Sequence, residues 1–375
     1  MKIVIACDSF KGTFTSVEVG NIVSRVAKDV FCDAMIKVVS VADGGEGTTD
    51  SVYLAKGGER IVVSVRDPLG SLVAAEYIIV DNNVAVMEMA SASGLHLVEG
   101  KKDIFNASTY GVGEMIKDSL DRGCKKIIIG LGGSATNDGG AGMAMALGVK
   151  FFDDRNERVN VVGEINNIAR VDISELDERI ENCEVVALSD VTNPLCGENG
   201  ASVVFGPQKG ATSEDVKLLD NNLGRYANVI EETFGKEIKN LEGAGAAGGL
   251  GAGLIAFCNA RIEKGAKYIL DVLDFEEDIK DADLVITGEG RVDFQTVNGK
   301  LPITVANACG KYNIPVFAIC GYAGDGWEKV LDAGIDGVIS SVVAPAPIEK
   351  ILENSEENIY KASRNLFRII EKMKK

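Results

Sequence analysis

Short apolar runs that end in polar, glycine-rich turns alternate along this chain with stretches of helical period. Residues 3–6 are apolar and strand-like. Thr15-Ser16-Val17-Glu18 has the spacing of a capping box, and Val19, Ile22, Val23, Val26 and Val30 then follow one helical face. Residues 36–41 predict a second strand, residues 49–55 a helix, and residues 61–65 a third strand. A β-α-β-α-β order of this kind opens a doubly wound parallel sheet. The character changes after Asp67-Pro68-Leu69-Gly70. Residues 75–80 and 84–89 flank Asp81-Asn82-Asn83 and predict an antiparallel hairpin, hence a second domain from about residue 71. That domain would hold a strand at 126–129, a strand at 184–189 and a long helix over about 213–234. The parallel pattern returns with strands at 283–287, 315–320 and 338–340. A last helix follows, with an Asn354-x-x-Glu357 start and Ile359, Ala362, Leu366, Ile369 and Ile370 on one face. The expected fold class is α/β with two domains: residues 1–70 and 263–375 around a parallel sheet, and residues 71–262 as an inserted domain with a mixed sheet.

The turn after the strand at 126–129 carries the densest chemistry. Gly130-Leu131-Gly132-Gly133-Ser134-Ala135-Thr136-Asn137-Asp138-Gly139-Gly140 holds five glycines and leads into a helix-like run at 141–147. Glycine lets backbone N–H groups approach an anion closely, and a helix start adds partial positive charge. Phosphate is the expected guest, with Gly132, Gly133, Ser134, Thr136 and Asn137 as its binding residues. A second glycine run, Gly243-Ala244-Gly245-Ala246-Ala247-Gly248, has the form G-x-G-x-x-G, but no strand precedes it. It reads as a weak dinucleotide signature, a packed small-residue helix or a substrate-facing turn.

Composition narrows the partners. A net charge of −17 argues against nucleic acid and anionic membrane, although local cations can still hold a small anionic substrate. No apolar run reaches membrane-spanning length. The eight cysteines show no C-x-x-C pair, and Cys258, Cys309 and Cys320 sit in apolar segments. They read as buried thiols of a cytoplasmic protein, working as a monomer or homodimer. His96 is the single histidine and has no carboxylate motif beside it. Proton chemistry must therefore rest on carboxylates or lysines, and any metal would be a hard, oxygen-bound ion such as magnesium.

Ligands of open parallel sheets collect beyond the carboxyl ends of the strands. The segments there are Asp8-Ser9-Phe10-Lys11, Asp43-Gly44-Gly45-Glu46, Asp190-Val191-Thr192-Asn193 and Gly288-Glu289-Gly290-Arg291; Phe205 to Thr212, away from any clear strand, adds Lys209. Carboxylates can hold magnesium or take a proton from a hydroxyl. Lys11, Lys209 and Arg291 can neutralise oxyanions. These are the components of phosphoryl transfer, in which positioning and charge stabilisation dominate. A Walker A motif is absent from the sequence.

At these residues the chain resembles a glycerate kinase of the first, bacterial type. The likeness extends nearly end to end. It takes in Asp8 to Lys11, Ala42-Asp43-Gly44-Gly45-Glu46-Gly47-Thr48, Thr109-Tyr110-Gly111-Val112-Gly113-Glu114, Gly130 to Gly140, Asp190 to Leu195, Phe205 to Thr212, Gly243 to Gly249, and Thr287 to Arg291 continued by Asp293, Gln295 and Thr296. The resemblance implies a flavodoxin-like, Rossmann-type domain with an inserted domain of restriction-enzyme-like topology. It also implies ATP- and magnesium-dependent phosphorylation of D-glycerate to 2-phosphoglycerate, or to 3-phosphoglycerate in some assignments. Cys7 replaces a usual proline, and Thr192 stands where the family commonly has Asp, which leaves Asp190 as the carboxylate there. On this basis Asp190 is expected to orient or deprotonate the glycerate hydroxyl, with Lys11 and Arg291 as catalytic cations. Asp8, Ser9, Asn193 and Lys209 are expected at the substrate, and Asp43, Glu46 and Glu289 at magnesium. The rival readings are an NAD-dependent hydroxy-acid oxidoreductase, resting on the two G-x-G-like runs, and a non-catalytic nucleotide sensor.

Overall fold

The computed structural model describes residues 1–160, 162–342 and 344–373. In chain order its strands are β1 (Lys2–Cys7), β2 (Met35–Val38), β3 (Glu59–Arg66), β4 (Leu72–Val80), β5 (Val84–Glu88), β6 (Lys126–Gly130), β7 (Lys150–Phe152), β8 (Arg158–Val159), β9 (Arg170–Asp172), β10 (Glu184–Leu188), β11 (Arg261–Glu263), β12 (Leu284–Val292), β13 (Val316–Ala323) and β14 (Gly337–Ser340). They belong to two compact α/β units. The first comprises Met1–Asp43, Asp50–Lys56 and Gly265–Lys375, and the second Gly44–Thr49 and Gly57–Lys264.

The first unit is built on one parallel sheet in the order β14-β13-β12-β1-β2. Interior strand β1 is buried along Ile3, Val4, Ile5 and Ala6, as a strand covered on both faces must be. The helix Ser16–Val30 packs there through Val19, Val23 and Val26, joined by Ile359, Leu366 and Phe367 of the helix Ser355–Met373. The predicted capping box is present: Glu18 N–H donates to Thr15 Oγ1, and Thr15 N–H donates to the Glu18 carboxylate. The buried face of the last helix is Ile359, Ala362, Ser363, Leu366 and Phe367. Ile369, expected on that face, is 47% exposed because it falls at the edge of the buried stripe, whose opposite flank is Phe367, edge-on to Phe31 at 5.9 Å.

The second unit carries a six-stranded mixed sheet in the order β11-β10-β6-β5-β4-β3. Strands β3, β4 and β5 are antiparallel, and β5, β6, β10 and β11 are parallel. Asp81 and Asn82 both adopt positive φ in the three-residue β4–β5 turn, a conformation that Asp and Asn tolerate better than most side chains. Strand β3 corrects the sequence reading. Residues 61–65 form a strand as predicted, but it pairs antiparallel with β4 rather than joining β1 and β2. Residues 57–70 thus lie in the second unit and not in the first domain, where a boundary at 70 had put them. A small antiparallel sheet, β8-β7-β9, was not foreseen, since strands of two or three residues leave almost no period to read.

Two glycines of Thr109-Tyr110-Gly111-Val112-Gly113-Glu114 have a packing reason. A Cβ on Gly111 would stand 2.0 Å from the Arg66 carbonyl oxygen, and one on Gly113 2.4 Å from that of Met143. The helix Tyr110–Asp121 can lie this close to β3 and to the helix Ala141–Ala146 only with hydrogen at those positions. Glu114 accepts from the Arg66 backbone N–H at 2.7 Å, and the Arg66 guanidinium lies 4.5 Å from the Tyr110 ring centroid.

Candidate active site

In the first unit the carboxyl ends of β1 and β12 bring distant residues together. The chain leaves β1 with Asp8, whose N–H donates to the Gly288 carbonyl at 2.8 Å. Asp8 is buried, and one of its oxygens accepts from the Ser9 N–H at 2.7 Å. Burial pushes its carboxyl up to about 7; the negative charge of Asp43, and less so of Glu289, adds to the shift, while the Ser9 N–H and Lys11 oppose it. Lys11 Nζ stands 3.7 Å from Asp43 Oδ2. Asp8, Ser9, Lys11, Asp43 and Glu289 therefore form one acidic cluster with a cation at its rim.

Glu289 is buried at the same edge. It accepts from Thr296 Oγ1 at 2.7 Å and from Lys300 Nζ at 3.3 Å. Burial raises its carboxyl above the usual range, and the Lys300 charge and the Thr296 hydrogen bond oppose this. Two residues on, Arg291 forms an ion pair with Asp293, its Nε 2.9 Å from Oδ2. Lys300 was not anticipated from sequence. It precedes the helix Leu301–Gly310 and has no spacing signal of its own.

The second unit holds the glycine-rich turn after β6. Its helix start is not open to an anion. The buried Asp138 carboxylate accepts from Gly140 N–H at 3.1 Å, Gly142 N–H at 3.2 Å, and the Thr109 N–H and hydroxyl, each at 2.8 Å. A side chain has taken the place expected for phosphate at the first turn of the helix Ala141–Ala146. What the turn still presents is the stretch from Gly132 to Asn137. Gly133 is exposed at φ +73°, whereas Ser134, Thr136 and Asn137 are buried. Asn137 Nδ2 donates to Ser202 Oγ at 3.0 Å.

Lys209 belongs to this turn. Its Nζ donates to Ser134 Oγ at 2.8 Å and to the Thr136 carbonyl at 2.6 Å, and the residue is 2% exposed. Burial pulls its ammonium down to about 7, against the raising effect of Asp138. Lys209 is expected as a substrate contact, and two of the three N–H groups of its ammonium bond to the turn itself. Asn193 likewise uses its amide Nδ2 on the Asn199 carbonyl at 2.8 Å. Asp190, half-buried, follows β10 on the same mixed sheet.

The three residues expected at magnesium are Asp43, Glu46 and Glu289. Asp43 and Glu289 belong to the first unit, while exposed Glu46 lies in the Gly44–Thr49 segment of the second. Among the described residues no set of three or more His, Cys, Asp or Glu side chains is arranged to hold a metal. The oxygen donors of Asp8, Asp43 and Glu289 still suit magnesium chemically. That ion usually takes one or two carboxylates and fills its shell with water and phosphate oxygens.

The Gly243 to Gly249 run is a packing device. A Cβ on Gly245 would stand 2.2 Å from the Pro194 carbonyl oxygen, and one on Gly248 1.9 Å from that of Thr136. Ala247, Gly248 and Gly249 all have positive φ inside the helix Ala246–Cys258. The backbone of the glycine-rich turn after β6 fills the space that a dinucleotide fingerprint would keep for pyrophosphate, so the oxidoreductase reading loses this support.

Comparison with known proteins agrees. Residues 3–371 match the glycerate kinase family. A "Glycerate kinase" of Halalkalibacterium halodurans is 47% identical over 367 residues, covering 97% of each chain. The "Glycerate 2-kinase" of Escherichia coli is 44% identical over 369 residues, covering 98% of this chain and 97% of that protein. A crystal structure from Salmonella typhimurium LT2, of a provisionally assigned glycerate kinase 2, superposes with a TM-score of 0.85 at 43% identity, covering 100% of this chain and 99% of the other. No helix among the described residues is long and apolar enough to cross a membrane. Matched over nearly its full length in sequence and in fold, the chain belongs to the glycerate kinase family and is a phosphotransferase.

Proposed function

We propose that the protein transfers the terminal phosphoryl group of ATP to the C2 hydroxyl of D-glycerate, giving 2-phosphoglycerate and ADP. The observation that carries this reading is the gathering of Asp8, Asp43 and Glu289 with Lys11 at the carboxyl edge of one parallel sheet. Such a cluster suits a reaction whose reactants are anions and whose transition state spreads negative charge over phosphoryl oxygens. Lys11 and Arg291 are the cations for the glycerate carboxylate or the transferring group. Asp43 and Glu289 supply hard oxygen ligands for magnesium, which when bound would neutralise phosphate charge. Asp8 and Ser9 offer polar contacts to the substrate. In the second unit Gly132, Gly133, Ser134, Thr136 and Asn137 are assigned to nucleotide phosphate. Asn193, through its amide, shapes the loop that follows Asp190. Asp190 is assigned to orient the glycerate hydroxyl and accept its proton.

The test is turnover of Mg·ATP and D-glycerate, followed by ADP release, with the phosphorylated carbon identified by phosphorus NMR. Asp190→Asn is expected to lower kcat by roughly 10²–10⁴ at unchanged melting temperature. Near-normal turnover would remove Asp190 from the role, and a product phosphorylated at C3 would overturn the C2 assignment.

A further inference from the structure

Strand β12 outlasts β1. It pairs with β1 only as far as Gly288 opposite Cys7, but continues beside β13 to Val292 opposite Ala323. Arg291 and its neighbour Tyr322 thus stand on a two-stranded overhang just past Glu289. The Arg291 side chain is 62% exposed, yet it is tethered to an Asp293 side chain only 5% exposed, at 2.9 Å through Nε. Asp293 is fixed in turn: its Oδ1 accepts from Gln295 N–H at 2.9 Å, and its own N–H donates to Thr296 Oγ1 at 3.1 Å. The same Thr296 hydroxyl donates to Glu289 Oε1. A Cβ at Gly324 would stand 3.1 Å from Arg291 Nε and 3.4 Å from one of its Nη atoms, so glycine keeps the guanidinium uncrowded.

We propose that Asp293 is a positioning residue, which grips Arg291 by its Nε edge and leaves the two Nη groups as a preset fork for an oxyanion. Thr296 ties this clamp to Glu289, so the anion subsite and the buried carboxylate keep a constant spacing. An exposed arginine without the tether would lose side-chain freedom on binding. A lysine in its place would lack both the Nε handle and the second nitrogen. The oxyanion is the substrate carboxylate or the phosphoryl group of the nucleotide. This inference rests on the kinase reading for the identity of the anion, and on geometry alone for the clamp.

The experiment is a double-mutant cycle with Asp293→Asn, Arg291→Ala and the pair. It is read by calorimetric binding of D-glycerate and of inorganic phosphate, and by the KM values for D-glycerate and ATP. Asp293→Asn is expected to weaken one anion about tenfold, Arg291→Ala at least as much, and the pair no more than Arg291→Ala. A rise confined to D-glycerate identifies the carboxylate, and one confined to phosphate and ATP the phosphoryl group. Additive losses, or unchanged binding of both anions, overturn the proposal. If Asp293→Asn does not fold, Asp293→Glu is read in the same way. If the wild-type enzyme does not turn over D-glycerate, the functional reading falls while the phosphate cycle still tests the clamp.

Discussion

A lysine in a polar segment reads as an exposed cation, and Lys209 shows why that inference fails. Its stem and ammonium are both buried, and it sustains two hydrogen bonds to the glycine-rich turn. Nothing in Gly206-Pro207-Gln208-Lys209-Gly210 announces this, because burial is decided by the turn that folds over it, about 75 residues earlier. A lysine held at about 7 when folded, and near 10.5 when unfolded, makes the unfolded chain bind more protons between those values. The stability of the wild-type protein relative to Lys209→Met should therefore rise with pH from about 7 to about 10.5 and level off on either side. Denaturant midpoints of both proteins across that range check it; a difference that does not vary with pH would rule out a depressed pKa for Lys209. Asp138 was visible in the sequence as one polar letter in the turn. That it caps the helix start, closing the place expected for phosphate, depends on Thr109 and could not be read locally.

Among the secondary-structure elements, those with long, regular periods were readable. The capping box, the helix Ser213–Phe234 and the strands of the parallel sheet fall where apolar spacing put them. Strand β3 was readable as a strand but not by its partner. Alternating residues specify a half-buried strand and leave open the sheet that it joins. The helix Ala246–Cys258 was ambiguous for a related reason, since a glycine run serves anions and close backbone packing equally well. Substitution separates the two causes of glycine use. Gly70→Ala meets open space at φ +89° and should cost on the order of 1 kcal/mol. Gly248→Ala adds a collision with the Thr136 carbonyl to its positive φ, and should cost roughly 3 kcal/mol or more while displacing the glycine-rich turn and lowering activity. Urea titrations beside turnover assays test this; equal costs at the two positions would mean that the close approach to Thr136 is not needed.

Taken as one charged body, the protein carries an excess of 17 negative charges. Its surface ion pairs, such as Arg25–Glu356 and Lys267–Asp271, each contribute little. Mutual repulsion among the surplus carboxylates should outweigh them. Raising sodium chloride from about 10 mM to about 200 mM is thus expected to lift the melting temperature by roughly 2–5 °C, as the screening length shortens. A flat or falling melting curve would show that the ion pairs matter more than the net charge. The family was readable because its motifs recur in order along the chain, whereas the unit boundaries were blurred by the short piece Gly44–Thr49. That hexapeptide belongs with the second unit although the chain on both sides of it belongs with the first. A Cβ on Gly130 would strike the Gly44 carbonyl at 2.4 Å, and one on Gly132 the Gly45 Cα at 2.7 Å. Anyone grafting the second unit into another member of the family must carry these six residues as well. A transplant cut at residue 57 would arrive with a slot open where its glycine-rich turn ought to be braced.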